Sequence, residues 1–456
     1  MQTPNSSAGQ TARPQNKCCP AGGFQHVSEA LPSQLRGVIV APPSGNTSPP
    51  APPELAVLHR GFDTLALSVR AHISSAFLEA LQAEKARAEE QRRDVQVDYC
   101  GRTFHLKPHG GNGYSFILSG GPSGATWFIK KPNAKDPWGI RVSVGSFFLA
   151  TQDLGAVREH LDAVLASWGV RYREEDVSIA RADVCVDILA PDFVLTPDHF
   201  VMHSSCKRRD YLTADDMAVH GKSSRVTSVT VDGTMNRQVI IYDKSAEIIA
   251  SKKSYWWHLW CDAARKKYGE GALASEFLRH GMLQRNISPS RIWRVEVRAG
   301  KDLLKDRWNI RTWGDFYTRF GDVIREAFEL VRYCAPTAGD TNRARWPVHP
   351  IWALARDELS GDLVEMFEGT DPNPLKEVHR EDHIALIFRN VLGSCITLAA
   401  LNGKRQNELP AMFADLTEQM QASVKADPTR TERQLNEASE RYVFIKKPER
   451  PLWNDT

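Results

Sequence analysis

Apolar and polar positions alternate with a period of two through much of the chain from residue 57 onward. The run FDTLALSVRA sets Phe62, Thr64, Ala66 and Ser68 against Leu65, Leu67 and Val69, which predicts a strand. A charged helix over about 72–93 follows. Strand-like runs then come at VQVDYCGRTFHL, GYSFILSG, ATWFIKK and GIRVSVGSFFL, divided by Gly, Asn and Pro turns. Closely spaced strands without intervening helices predict antiparallel pairing. The period then lengthens: Leu154, Val157, Leu161, Leu165 and Trp168 recur at three- and four-residue spacing until Gly169, marking a helix over 151–168. Strands return at DVSIARADVCVDIL, RVTSVTVD, RQVIIYDKS and IWRVEVRAG. A helical stretch around YWWHLWCDAARKKYG separates the last two, and an amphipathic helix over about 311–334 closes the region.

This order predicts an α+β fold: antiparallel sheets with helices packed on one face, two related strand-helix-strand halves, and a helical C-terminal region. The halves run over 56–150 and 151–335, with the second carrying the chemistry. APTAGDTNRARWPVHP reads as a linker, over 336–350, and residues 351–456 as helical. Within that last part HIALIFRNVLGSCITLAAL is expected to be the most buried piece, with LPAMFADLTEQMQASV as its amphipathic neighbour. Residues 1–55, rich in Pro, Ser, Gly, Gln and Asn, cannot bury enough apolar surface to offset their ordering entropy, so a disordered tail is expected there.

Composition narrows the function classes. The 456 residues hold 58 Lys and Arg against 55 Asp and Glu, a net charge of only +3, so a nucleic-acid site would have to be a local patch. Eight cysteines without a CxxC pair argue against a zinc ribbon, and their scatter points to a reducing, cytoplasmic setting. No stretch reads as the roughly 20 apolar residues of a membrane span, so no membrane partner is expected.

Three strands carry candidate chemistry. In RQVIIYDKSAE, Val239, Ile240 and Ile241 lead into Tyr242, and strand alternation places Lys244 on the same face, where a cation favours an ionised phenol. In RADVCVDI, Arg181, Asp183, Cys185 and Asp187 share one face, opposite Ala182, Val184, Val186 and Ile188. Asp183 and Asp187 are about 13 Å apart along the strand, too far to chelate one ion unaided. One of them could do so with a carboxylate from a neighbouring strand; a solvated face with an Arg–Asp pair fits the same letters. In WRVEVRAGK, Arg294, Glu296 and Arg298 share a face, and Glu296 would complete an acidic cluster if the strands are neighbours.

Taken in order, the strand Arg181-Ala182-Asp183 through Asp187, the strand Ile241-Tyr242-Asp243-Lys244 through Glu247, and the strand Trp293-Arg294-Val295-Glu296 resemble the replication initiation factor family (Rep_trans). That family comprises initiators of rolling-circle plasmids and related relaxases of conjugative elements, and the likeness covers roughly residues 57–330. FDTLALSV and VSVGSFFL also look like the family's opening segment. Where the family often has Gly-Ser before the tyrosine strand and an Arg close to the tyrosine, this chain has TVDGTM and Ile240, which leaves Arg237 or Lys244 to hold a phosphate.

The resemblance implies a tyrosine transesterase that leaves a 5′-phosphotyrosine and a free 3′-hydroxyl. Tyr242 would be the nucleophile with Lys244 in electrostatic support, and Asp183, Asp187 and Glu296 would be ligands of Mg²⁺ or Mn²⁺ or the base. Arg181, Arg237, Arg294 and Arg298 would contact DNA. The implied partners are single-stranded or hairpin origin DNA, a host or element helicase, and a second copy in a homodimer. A DNA-binding regulator of the same fold without catalysis, and a metal nuclease using water, are the rival readings.

Other signals are weaker. His199 and His203 stand four apart without a third ligand, and HLKPH (His105, His109) lacks the apolar residue between two histidines that defines the better-known nicking motif. HGGNG and SGGPSG lack a GK[ST] ending and read as turns. Tyr114, Tyr211, Tyr255 and Tyr268 lack the strand context of Tyr242. The lysines beside Tyr255, Trp256 and Trp257 would suit single-stranded DNA, and a helix with buried tryptophans explains them equally well.

Overall fold

The computed structural model describes residues 55–202, 217–222, 225–234, 237–269, 292–361 and 371–446. Most of the 1–55 tail, His203 and Tyr211 therefore lie outside the described residues. The first alternating run forms β1 (Ala56–Val69), and the charged helix is α1 (Ser75–Gln91), capped by Ser74 through its side chain. The turn-divided runs become β2 (Val95–Tyr99), β3 (Arg102–Leu106), β4 (Phe116–Ser119), β5 (Ala125–Ile129) and β6 (Ile140–Val144). A short α2 (Ser146–Thr151) precedes α3 (Leu154–Ser167), which starts on the Asp153 cap and ends at Gly169 in the left-handed region, at φ +72°.

The second half repeats this plan. β7 (Val177–Leu189) is followed by β8 (Phe200–Met202), β9 (Met217–Lys222), β10 (Arg225–Thr234), β11 (Arg237–Asp243), α4 (Lys244–Ser251), α5 (Tyr255–Tyr268) and β12 (Ile292–Gly300). Then come α6 (Trp313–Leu330), β13 (Val331–Tyr333), α7 (Pro350–Leu359), α8 (Pro372–Leu401), α9 (Leu409–Ala426) and α10 (Pro428–Arg441).

Eleven strands make one antiparallel sheet in the order β2-β3-β4-β5-β6-β1-β7-β12-β11-β10-β9, while β8 and β13 pair separately. The order exposes the relation between the halves. Each opens with its longest strand (β1 or β7), and a meander returns to lay its last strand (β6 or β12) beside the opening one. The two opening strands then join antiparallel at the centre of the sheet. Helices follow the last strand in both cases. The α+β class with an antiparallel sheet and a helical C-terminal region is thus what the alternation predicts.

One face of the central strands carries Val184, Val186, Ile188, Val295, Val297, Val239 and Ile241 into a continuous core with Trp313, Phe316 and Phe320 of α6 and Ile351 and Trp352 of α7. Since α7 joins that core, the packed α+β unit extends through residue 359. Helices also cover the other face, where Trp256, Trp257 and Trp260 of α5 cluster with Ile248, Leu58 and Leu375. This second layer of helix closes over the face that bears the charged residues.

Two expectations for the C-terminal part are overturned. The segment within α8 expected to be most buried is largely exposed, with Ile384, Ile387, Phe388, Val391 and Leu401 open to solvent. Helix α8 is also long and apolar enough to cross a membrane, contrary to the expectation that no such stretch exists. The apolar letters are the same in both cases; what differs is that α8 stands away from the sheet.

Candidate functional site

Register brings the three candidate strands together. β7, β12 and β11 are adjacent, so Asp187 faces Arg294, and Arg294 faces Tyr242. The neighbouring row is Cys185, Glu296 and Ile240, and the next is Asp183, Arg298 and Gln238. Directly opposed residues share a face, so Tyr242 and all three predicted acids lie on the side covered by α5.

Each acid has a different fate. Asp187, fully buried, receives Arg294 Nε at 2.5 Å and Nη2 at 2.7 Å, and Trp260 Nε1 donates to it at 2.9 Å. Burial alone would raise this carboxyl, but the charge and hydrogen bonds of Arg294, helped by His59 and Lys244, hold it below the usual range. A bidentate arginine and an indole saturate it. In this arrangement Asp187 is the counterion of Arg294. Arg294 is itself wholly buried and also bonds Asp63, so it is a buried ion-pair centre and does not present itself as a DNA contact.

Asp183 accepts from Arg181 Nε at 2.8 Å, and Arg298 Nε lies 4.0 Å away. Burial pushes its carboxyl up to about 6, and nearby Glu296 pushes the same way against the two arginines. Glu296 accepts from Arg298 Nε at 2.5 Å through Oε1, while its Oε2 is buried without a hydrogen-bond partner. Glu296 Oε2 is thus unbonded, whereas both oxygens of Asp183 already accept from Arg181 Nε, at 3.0 and 2.8 Å. Among the described residues no three His, Cys, Asp or Glu side chains form a metal cage. Two carboxylates nevertheless fit Mg²⁺, which takes one or two of them and completes its shell with water and phosphate oxygens. Arg181 and Arg298 line the open rim, with side chains 43% and 36% exposed.

Tyr242 ends β11 half-buried. Burial pushes its phenol well above the ordinary value, opposed by Arg294 and reinforced by Glu296 and Asp63, so the free protein keeps the hydroxyl protonated. Lys244 reaches the ring by a different route from the alternation expected. The strand stops at Asp243, whose carboxylate caps α4 by accepting from Ala246 N at 2.9 Å, and Lys244 is the first residue of that helix. From there its Nζ lies 5.7 Å from the Tyr242 ring centroid, 5.0 Å from that of Trp256, and 2.6 Å from Glu247 Oε2. The spacing Tyr-Asp-Lys-x-x-Glu thus becomes one cap, one buried cation and its counterion a helical turn later.

Arg237 is not brought to this site. It points to the opposite face with Val239 and Ile241, where it lies 3.6 Å from Glu326 of α6, so its predicted DNA contact is corrected to a buried ion pair. Tyr255, Trp256 and Trp257 are buried too, and serve as the lid of the site instead of a stacking platform. The Trp256 ring has Arg294 Cζ 4.5 Å from its centroid and the His59 ring 5.0 Å away edge-on.

Sequence reading missed Asp63 and His59. Asp63 sits at a bulge in β1, where the register to β7 shifts between Phe62 and Thr64. The extra residue places Asp63 and Thr64 together on the charged face, where Asp63 bonds Arg294, and brings Phe62 into the core with Leu65, Leu67 and Val69, against the simple alternation expected of this run. A lone acid inside an apolar strand was the available signal. His59 lies opposite Asp187.

No family model matches this chain, and no curated protein matches it. Among solved structures, a rolling circle replication initiator protein from Geobacillus stearothermophilus is similar at 13% identity. That match covers 69% of this chain and 99% of the other at a TM-score of 0.36, so the functional reading rests on the residues described above.

Proposed function

We propose that the protein nicks DNA at a replication origin through Tyr242 and carries the cut strand as a 5′-phosphotyrosine, starting rolling-circle replication of a plasmid, phage or conjugative element. The observation that carries this reading is the row Tyr242–Arg294–Asp187 beside the unbonded Glu296 Oε2 on one covered sheet face. A tyrosine fixed at a strand end, next to an unbonded carboxylate oxygen and a buried cation, has the parts that phosphoryl transfer to a phenol requires.

In this mechanism Tyr242 Oη attacks the phosphorus as the bond to the 3′ oxygen breaks. The phenolic proton passes to Glu296 Oε2, the unbonded carboxylate oxygen, or to water when that oxygen holds a cation, and the leaving 3′ oxygen takes a proton from water to become a free hydroxyl. The phosphodiester energy stays in the phosphotyrosine, so the reverse attack reseals the strand. Mg²⁺ or Mn²⁺ held by Asp183 and Glu296 would supply charge to the non-bridging oxygens. Asp187 and Asp63 hold Arg294 on the strand beside Tyr242, which makes them positioning residues. Lys244 favours the phenoxide as it forms, and Arg181 and Arg298 at the rim receive flanking phosphates.

A conjugative relaxase would use the same steps, and a host or element helicase would unwind the duplex from the nick in either case. A DNA-binding regulator without catalysis is the second reading, favoured by the arginine partners that Asp183, Asp187 and Glu296 already have. Cleavage of a single strand bearing the element's own origin separates them. The proposed enzyme leaves one product with a free 3′-hydroxyl and requires a divalent ion, whereas the regulator binds the strand and leaves it whole. Full activity in excess EDTA removes the cation from the proposal.

A further inference from the structure

Helix α8 turns one face towards the body of the protein. His379, Asp382, His383, Leu386 and Arg389 recur on it at three- and four-residue steps. With the end of α4 and the start of α5 they enclose a cavity of about 310 Å³. Pockets from about 300 Å³ upward hold organic ligands, so this space exceeds what one inorganic ion fills.

The lining has three kinds of wall. Ile248 and Ile249 of α4, Trp257 of α5 and Leu386 form an apolar side. Ser254 and Asp382, hydrogen-bonded to each other, supply polar edges. Lys252 and Arg389 bring two full positive charges, and neither side chain has an ion-pair partner among the described residues. His258 and His379 can add to that charge. Burial holds both imidazoles below their ordinary value, with His383 acting the same way on His379 and Asp382 opposing in each case. Both are neutral at pH 7 and can take up protons as an anion approaches.

These walls discriminate between ligand classes. A cation would meet one acid, already bonded to Ser254, and among the described residues no three His, Cys, Asp or Glu are placed to hold a metal. A wholly apolar molecule would take water from two unpaired cations without replacing it. Inorganic phosphate would satisfy the cations and leave the apolar side bare. An anion on an acyl chain would fill the apolar side and leave the polar edges unused. A flat heterocycle joined to a phosphate uses all three walls.

We propose that this cavity binds a nucleoside phosphate, its phosphate held by Lys252 and Arg389 and its base set against Trp257 and Leu386. A free nucleotide and one nucleotide of a bound strand present the same chemistry, and the test separates them. Either bears on the candidate site, because α4 begins with Lys244 and α5 carries Trp256 next to the cavity's Trp257. The inference does not rest on the nicking chemistry, and every measurement is made in EDTA.

The full chain is titrated calorimetrically with the deoxynucleoside 5′-monophosphates, their nucleosides, inorganic phosphate and octyl phosphate. Its affinity for fluorescent oligo(dA) and oligo(dT) strands is read by anisotropy. The variants are Lys252→Gln/Arg389→Gln, which removes the charges, and Ile249→Trp, which fills the cavity from a side chain 42% exposed. Lys252 sits at φ +57°, which Gln occupies at no greater strain, so both variants should keep the parent's melting temperature. A free-nucleotide site binds a monophosphate at least about tenfold more tightly than its nucleoside, inorganic phosphate or octyl phosphate, and loses it in both variants. A strand site leaves the monophosphates weak and gives a strand affinity that falls about tenfold in both variants. Loss of strand affinity in the charge variant alone marks ordinary surface charge and overturns the proposal. So does inorganic or octyl phosphate binding as tightly as any nucleotide, or the lack of any probe that tells the parent from Ile249→Trp.

Discussion

Replacing Asp183 by Asn tests the acid pair without relying on catalysis. The carboxyl is buried and is raised from 3.8 to about 6. A shift of roughly two units at about 1.4 kcal/mol each makes the ionised form cost on the order of 3 kcal/mol. The sign follows from linkage. A folded value above the unfolded one contributes stability that is complete below the unfolded pKa, near 4, and is lost as pH rises through 6. Between pH 5 and pH 7.5 the parent should therefore lose about 1.4 kcal/mol through this group. Asp187, Asp63 and Glu247 are lowered and stay ionised throughout that window, and histidine titrations are common to parent and variant. The assay is denaturant unfolding of parent and Asp183→Asn at both pH values, with and without Mn²⁺. The variant should gain on the parent by about 1.4 kcal/mol at pH 7.5 relative to pH 5, and Mn²⁺ should stabilise only the parent. A gap that is the same at both pH values would refute the assignment of the raised pKa to Asp183. A Mn²⁺ effect surviving in the variant would move the cation elsewhere.

Asp187→Asn leaves Arg294 buried with half its counterions, so it should cost about 3–5 kcal/mol and lower the melting temperature; a variant that melts with the parent would mean the pair is not structural. Chains ending at Gly361 keep α7 in the core and should fold and nick, whereas chains ending at Arg345 lose Trp352 and Ile351 from it and should fail to fold. Circular dichroism and soluble yield distinguish the two truncations. Deleting residues 1–54 should leave nicking unchanged in the same origin-strand assay.

Local patterning made the strands and most helices readable, because a period of two or of three and four is written in neighbouring letters. RADVCVDI and WRVEVRAGK even told which residues share a face, and the adjacency of β7 and β12 then put Glu296 beside Asp183. Pairing partners were not written locally. Nothing in the letters of Asp187 announced that Arg294 and Trp260 would saturate it, since those contacts span 107 and 73 residues. Asp63 depended on a bulge, and Arg237 on which side α6 packs. The apolar run in α8 misled for a related reason: a stripe of Ile, Val and Leu records that a surface is to be covered, and is silent on whether the cover belongs to the same chain.

The covalent intermediate decides the central claim. The protein is incubated with Mg²⁺ and a single strand carrying the element's own origin, labelled at its 3′ end, and the mixture is run on a denaturing gel. Nicking through Tyr242 predicts a labelled band near the protein's mass, a digest peptide containing Tyr242 with nucleotide attached, and loss of both in Tyr242→Phe with DNA affinity retained. Cleavage by the parent with no labelled protein band, or a band of equal strength from Tyr242→Phe, would contradict it.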